Sequence, residues 1–251
     1  RKSLPVPSAE TDPLEFLSIT CSFPRWLVRR WLDRFGFDKT RTLCDAANAI
    51  PPLTIRTNTL NISRDDLAGR LSDQAESLAF TNFAPDGLRL EALNAPIDTM
   101  RPFLDGLFQV QDEAAQLVSL LLRPLPGEMV LDACAGFGGK TAHMAQLMSN
   151  SGTIMAVDSA PKKLNRLEDE MKRLGIGNVT TRTCDLEVPS ALAAAGFFDR
   201  ILLDAPCSGL GVIRRNPDVK WDSSRRDLAR FAAKQERLLQ NISSYLKPSG
   251  R

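Results

Sequence analysis

One stretch restricts what this chain can fold into more than any other: Val130-Leu131-Asp132-Ala133-Cys134-Ala135-Gly136-Phe137-Gly138-Gly139-Lys140-Thr141. Pro126-Gly127 precedes the apolar run Glu128-Met129-Val130-Leu131, the pattern of a central strand that starts after a break. Gly136, Gly138 and Gly139 let the backbone turn sharply and approach a ligand with no Cβ in the way. A helix is expected from Thr141 to about Met148, and the free N–H groups at its start favour an anionic or carboxylate-bearing ligand.

Three ligands compete for such a loop. A dinucleotide fingerprint needs G-x-G-x-x-G, and Thr141 stands where its third glycine belongs. A phosphate-binding P-loop needs G-x-x-x-x-G-K-[ST]; Gly139-Lys140-Thr141 fits its end, but Cys134 stands at its first glycine. The third candidate is S-adenosyl-L-methionine on an open sheet of the same kind. The next apolar run, Gly152 to Val157, ends in Asp158, which follows the loop at roughly the 20-residue spacing of a ribose-binding carboxylate. A cap for the helix opened by Ser159-Ala160-Pro161 is its plainer reading. Two further runs end in Asp185 and Asp204, the second continuing as Ala205-Pro206-Cys207-Ser208-Gly209. Ligands of open α/β sheets sit at the carboxyl ends of the strands, so Asp132, Asp158, Asp185 and Asp204 are expected to share one rim. Ile201 to Asp204 would also pass for the second motif of a P-loop ATPase, though Pro206-Cys207 is foreign to it.

Taken together, Asp132-Ala133-Cys134-Ala135…Gly138-Gly139-Lys140-Thr141 and Asp204-Ala205-Pro206-Cys207-Ser208-Gly209 resemble the Sun/Fmu family of RNA cytosine-carbon-5 methyltransferases. Ile55-Arg56-Thr57-Asn58-Thr59-Leu60, Phe108-Gln109-Val110-Gln111-Asp112-Glu113-Ala114 and Gly211 to Asp218 extend the likeness, which runs from about Ser22 to Arg251. It departs at Gly136-Phe137, where the family commonly has Ala-Pro. The resemblance implies a Rossmann-like class I methyltransferase domain of α/β class, preceded by a small α+β RNA-binding domain. It implies an S-adenosyl-L-methionine site at Cys134, Ala135, Gly136, Phe137, Gly138, Gly139, Lys140, Asp158, Asp185 and Asp204. The partner it implies is RNA, small-subunit rRNA in the first place.

Bulk properties agree with such a protein without demanding it. Over 251 residues, 43% apolar and 25% charged residues are ordinary for a globular chain. A net charge of +2 neither requires nor excludes nucleic acid, so any basic surface must be local. Five scattered cysteines without a C-x-x-C pair, and His143 as the single histidine, argue for reduced thiols, a cytoplasmic location and no metal site. There is no apolar run of membrane length and no signal peptide. A monomer is expected. The chain starts at Arg1 rather than Met, which suggests a fragment.

Along the chain, residues 1 to about 13 read as a loose leader; Leu14–Ile19, Arg25–Phe35 and Lys39–Ala49 read as helices. The second carries Trp26, Trp31, Arg29, Arg30 and Arg34, which could touch RNA or could be core tryptophans beside a solvated face. A helical segment 1–50, an α+β RNA-binding region 51–106 and a methyltransferase domain 107–251 are the expected divisions. In the second, Leu53–Asn58 is a strand, Ser63 caps a helix to about Ala75, and strands follow at 78–80 and 87–90. Arg56 and Asn58 are candidate RNA contacts there, against a purely structural hydrogen-bonded role. A helix from Gln111 to Leu122 begins with Gln111, Asp112 and Glu113, which complement the helix dipole and could line the cofactor pocket. Pro161–Leu174 reads as an amphipathic helix, Ser190–Ala195 as helical, Gly209–Asp222 as a loop, and Ser223 to about Leu246 as a helix. From Val212 to Arg237, eight bases face four acids, a local excess of +4, so Arg214, Arg215 and Lys220 are candidate phosphate contacts.

The chemistry implied is covalent catalysis. A cysteine thiolate adds to carbon 6 of cytosine, carbon 5 becomes nucleophilic enough to take a methyl group, and loss of its proton expels the thiolate. Asp204 is expected to hold the base edge and the methionine end of the cofactor, with Lys140 supporting the acids. The resemblance places the attacking cysteine in a later Thr-Cys motif, after the strand that follows Lys247-Pro248-Ser249-Gly250, and gives Cys207 the release of product. That nucleophile and the last strands of the sheet are therefore expected beyond Arg251. A P-loop NTPase and a non-catalytic RNA-binding scaffold are the alternatives.

Overall fold

The structure, a computed structural model, describes residues 7–251. The first part of the loose leader lies outside these residues. Two compact units are present: residues up to Pro51 together with Pro206–Gln235, and Pro52–Ala205 together with Glu236–Arg251. Among the described residues, no helix is long and apolar enough to cross a membrane.

The first unit is helical. Helix α1 (Pro13–Thr20) starts at Asp12, whose side chain accepts the Glu15 N–H, with Pro13 in its first turn. Helix α2 spans Arg25–Asn48 and joins the two helices expected there; Gly36, at φ 75° and ψ 178°, kinks it where they were expected to part. Leu14, Leu17, Phe23, Leu27, Val28 and Cys44 form its core with Ile213, and Leu210 and Val219 pack on that core from the second segment. That segment holds a 3-10 turn (Leu210–Val212) and α8 (Val219–Asp222) inside the expected loop, and the start of α9 (Arg225–Ser243).

The second unit contains two four-stranded sheets. The first is antiparallel, in the order β2-β3-β1-β4, from β1 (Leu53–Thr57), β2 (Ala75–Phe80), β3 (Gly87–Leu93) and β4 (Phe108–Val110). Helix α3 (Arg64–Leu71), capped by Ser63, ends four residues short of expectation because Ala75 is a buried strand residue. With α4 (Arg101–Leu104), α3 covers the core of Ile55, Leu67, Leu71, Leu88 and Phe108. Pairing of β4 with β1 moves the expected boundary at residue 106, because Phe108–Val110 completes this sheet.

The second sheet is parallel, in the order β7-β6-β5-β8, from β5 (Met129–Ala133), β6 (Thr153–Asp158), β7 (Val179–Thr183) and β8 (Arg200–Leu203). Helices α5 (Glu113–Leu122), α6 (Gly139–Leu147) and α7 (Pro161–Leu174) connect or flank these strands. Helix α7 buries Leu164, Leu167, Met171 and Leu174 at helical spacing, opens with Pro161 and stops at Gly175, whose φ of 72° suits a residue without Cβ. Ser190–Ala195 is a series of turns rather than a helix. The six residues between Pro189 and Gly196 are too few to offset the cost of helix nucleation, whatever their alanine content. The strand order steps outward from β5 to β7 and then returns to the other side of β5 at β8. That switch point opens a crevice at the carboxyl ends of β5 and β8.

Candidate functional site

At the carboxyl end of β5 the chain takes three left-handed residues, Cys134 (φ 67°), Gly136 (φ 60°) and Gly138 (φ 84°). Open space surrounds the position of a Cβ at Gly136, whereas at Gly138 it would lie 2.6 Å from Leu167 Cγ. The loop is pinned from β6: Ala135 N–H donates to the Val157 carbonyl (2.8 Å) and Gly136 N–H to Asp158 Oδ2 (3.0 Å). Asp158 Oδ1 also accepts the Ala160 N–H (2.9 Å), and Lys163 Nζ stands 3.8 Å from Oδ2. Asp158 therefore caps its own turn and fixes the glycine loop at once. A carboxylate has about four acceptor sites, so these contacts leave capacity for hydroxyl donors.

Asp132 and Asp204 differ sharply in setting. Asp132 is buried, its Oδ2 accepts the Thr141 hydroxyl (2.6 Å), and burial pushes its pKa up to about 7, with Asp204 and Asp158 adding to the rise and Thr141 and Lys140 opposing it. It supports the loop from below. Asp204, one residue beyond β8, is half exposed and forms an ion pair with Lys140 Nζ (2.6 Å). The lysine that a P-loop would aim at phosphate is thus engaged by an acid. The rim expected of four acids is smaller, since Asp132 lies beneath it; the carboxylates of Asp158 and Asp204 oppose a triphosphate and suit a ligand with hydroxyls and a cationic centre.

The residues Cys134–Lys140, Asp158 and Asp204 come together in the second unit. Phe137 is 57% exposed, with the Arg166 guanidinium 5.7 Å from its ring centre. Asp185 lies two residues past β7, exposed, with its Oδ1 accepting the Glu187 N–H (2.9 Å). Cys207 is exposed and belongs to the segment beginning at Pro206.

Three expected RNA contacts are corrected by burial. Arg56 is fully buried and donates to Gln146 Oε1 (2.8 Å), Gln109 Oε1 (2.9 Å), the Gly139 carbonyl (3.0 Å) and Gln111 Oε1. Burial lowers its pKa to about 9, against the opposing effect of Asp86 and Glu170. Asn58, also fully buried, donates to the carbonyls of Gly106 and Leu174 (both 2.8 Å) and accepts from Gln146 Nε2 (2.8 Å). Gly106 is required here: a Cβ would meet the Arg173 carbonyl oxygen at 2.0 Å. Lys220 is buried too, with Nζ 4.0 Å from the centre of the Phe23 ring and 3.4 Å from Asn48 Oδ1. Arg214 and Arg215 are exposed as expected, but Arg214 donates to the carbonyls of Ala49 (3.1 Å) and Ile50 (2.8 Å).

The pocket role expected of Gln111 and Glu113 is corrected as well. Gln111 faces Arg56, and Glu113 Oε1 accepts the N–H groups of Phe83 (2.5 Å) and Ala84 (3.1 Å). What sequence reasoning missed is this polar cluster of Arg56, Gln109, Gln111 and Gln146, which holds the carbonyl of the first α6 residue, Gly139. Its only signal was the placing of glutamines within apolar segments.

Comparison with known proteins adds the following. A family model described as 16S rRNA methyltransferase RsmB/F matches residues 119–251, and one described as an RsmF/B-like ferredoxin-like domain matches residues 23–96. The "Probable ribosomal RNA small subunit methyltransferase B" of Bacillus subtilis is 35% identical over 250 residues, covering 100% of this chain and 56% of that protein. The "Ribosomal RNA small subunit methyltransferase B" of Salmonella paratyphi C is 39% identical over 243 residues, covering 96% and 56%. The chain thus spans a little over half the length of these curated relatives. Among solved structures, the methyltransferase homolog protein from Pyrococcus horikoshii superposes with a TM-score of 0.83 at 30% identity, covering 96% of this chain and 75% of that one.

Proposed function

The chain belongs to the RsmB/F family of 16S rRNA methyltransferases, and from that premise we propose that it is part of an enzyme that methylates carbon 5 of a cytosine in small-subunit rRNA. The observation that carries this reading is the Lys140–Asp204 ion pair at an acidic rim, on the crevice where β5 and β8 part. It removes the cation a P-loop NTPase needs and supplies acceptors for a ribose and for a cytosine amino group.

S-adenosyl-L-methionine, bound at Cys134–Lys140 and Asp158, supplies an electrophilic methyl group. The fit rests on the open space at Gly136, the first-turn N–H groups of α6 and the acceptor sites left on Asp158. Asp204, held by Lys140, accepts from the amino edge of the base and orients its ring. The attacking thiolate comes from the later Thr-Cys motif and adds to carbon 6; carbon 5 then gains the methyl group, a base takes the carbon-5 proton, and the thiolate leaves. Cys207 acts in that release, and Asp185 lies at the outer end of the cofactor site.

The test uses a chain long enough to include the later motif, given small-subunit rRNA tritiated at cytosine carbon 5. Tritium should reach water in step with methylation; methylation with tritium retained sinks the carbon-5 assignment. With Cys207→Ala, a protein–RNA adduct should accumulate on a denaturing gel. Loss of both adduct and methylation in a folded Cys207→Ala protein would make Cys207 the nucleophile. Tight RNA binding without any methyl transfer would leave a scaffold.

A further inference from the structure

The helical unit contains a cavity of about 510 Å³ that the methyl-transfer site does not use. Arg25, Arg29, Arg30 and Arg34 line it from the first half of α2, and Arg225 lines it from the start of α9. Trp26 and Leu14 supply its apolar wall, and Asp33 is the one acid on its surface. Both tryptophans of α2 are half-buried against the helical unit's core: Trp31 packs edge-on against Phe23, 5.3 Å between ring centres, and Trp26 also lines the cavity.

Ordinary stability does not account for this arrangement. Five guanidinium groups share one concavity with one carboxylate. Arg25 is paired with Glu15; among the described residues no acid lies within ion-pair distance of Arg29, Arg30, Arg34 or Arg225. Arg25 opens α2, whose first turn has no acid, so a cation sits where the helix dipole disfavours it. Arg225 opens α9, whose first turn already holds Asp227 on the Ser224 N–H. The acid-free start of α2 therefore contributes to a cavity whose side chains are mostly cationic. The cluster is also not one solvated helix face, since Arg225 arrives from a segment nearly two hundred residues away in sequence.

We propose that this cavity is a second RNA site, holding a single-stranded nucleotide of the rRNA substrate away from the methylated base. Planar guanidinium forks match phosphate oxygens two at a time, and an indole face stacks any base. The volume lies within the roughly 300–1,000 Å³ of pockets that enclose small ligands. Arg29, Arg30, Arg34 and Arg225 take the phosphates flanking that nucleotide, and Trp26 stacks its base. The site reads position along the RNA rather than the reacting atoms. This inference rests on the reading of the chain as part of an rRNA methyltransferase.

The test compares the full-length enzyme with its Arg29→Ala/Arg225→Ala variant and with Trp26→Leu. The probe is a single-stranded fragment of small-subunit rRNA that contains the target cytosine. For the double variant, affinity should fall, and the slope of log affinity against log salt should flatten by about 1.4, near 0.7 for each of the two phosphates no longer neutralised. KM for RNA should rise with kcat and S-adenosyl-L-methionine affinity unchanged. Trp26→Leu should weaken RNA binding with the salt slope retained. An unchanged slope and KM in a variant with wild-type thermal stability overturns the cavity proposal alone, since the wild type still methylates. A wild type that neither binds nor methylates RNA overturns the functional reading and this proposal together. Binding of a mononucleotide in the cavity without any effect of the variants on RNA also overturns it.

Discussion

Arg56 and the arginines around the helical unit's cavity are the same residue type under opposite physical conditions. Arg56 has no solvent and no acid in contact; three glutamine carbonyl oxygens and one backbone carbonyl surround its guanidinium. Arg29, Arg30, Arg34 and Arg225 stand exposed around a concavity, and only their neighbour Arg25 has an acidic partner. The buried arginine is a structural cross-link between β1 and the start of α6, and its charge is incidental to its five donors. In the cavity it is the charge that is available. A basic residue in an RNA-modifying protein therefore says little about RNA contact until its donors are accounted for.

The difference predicts unequal costs. Arg56→Ala leaves several buried carbonyls without a donor, each worth about 1–3 kcal/mol, so denaturant unfolding should report a loss of about 3–5 kcal/mol. Arg56→Lys should fall between, because an ammonium cannot span the fork. Arg29→Ala, by contrast, should stay within about 0.5 kcal/mol of wild type. Equal losses at the two positions would erase the comparison.

A buried acid sharpens it. Asp132 keeps its proton up to a pH near 7 in the folded protein, above the carboxyl's ordinary value of 3.8. The folded state thus binds more protons than the unfolded chain between these values, so this group favours folding at low pH. Its contribution declines as pH rises from about 4 to about 7, by at most about 1.4 kcal/mol per pH unit. Asp132→Asn, which can still accept from Thr141, should flatten that part of the stability profile measured by urea unfolding. An unchanged profile would show that Asp132 ionises freely in place.

Asp158 bears on the ligand directly. Asp158→Ala should weaken S-adenosyl-L-methionine binding by about 1–3 kcal/mol, the worth of a charge-assisted hydrogen bond. Calorimetry on the folded variant that finds full affinity would leave Asp158 as a cap for Ala160 and an anchor for Gly136 only.

The glycine loop and its acids were legible because their signals are local. Each needs only a strand, a turn and the residue at the strand end: Asp158 holds Gly136 of the loop, and Asp204 pairs with Lys140. Arg56 and Asn58 were not legible, because their partners lie 48 to 116 residues away and a basic residue on a strand looks alike whether its donors are used or free. Phe108–Val110 is too short to carry a period, so the sequence leaves it beyond the boundary at residue 106; only its pairing with β1 assigns it to the first sheet. Trp26 and Trp31 were ambiguous for a similar reason. Their sequence neighbourhood is shared and both pack on the core, so only tertiary structure shows that Trp26 also lines the cavity.

The helical unit is assembled from two stretches separated by more than 150 residues, and this orders events during synthesis. Leu14, Leu17, Phe23, Leu27 and Val28 leave the ribosome well before the apolar partners that cover them, Leu210, Ile213 and Val219, which are made only after strand β8. At roughly 5–20 residues per second, α1 and α2 wait on the order of ten seconds or more with an open core. The rule that a segment folds as it is made holds for neither unit: α1 and α2 wait for Leu210, Ile213 and Val219, and the parallel sheet waits for Leu238 and Ile242 of α9, so each core closes only when a segment made much later returns to it across a long loop.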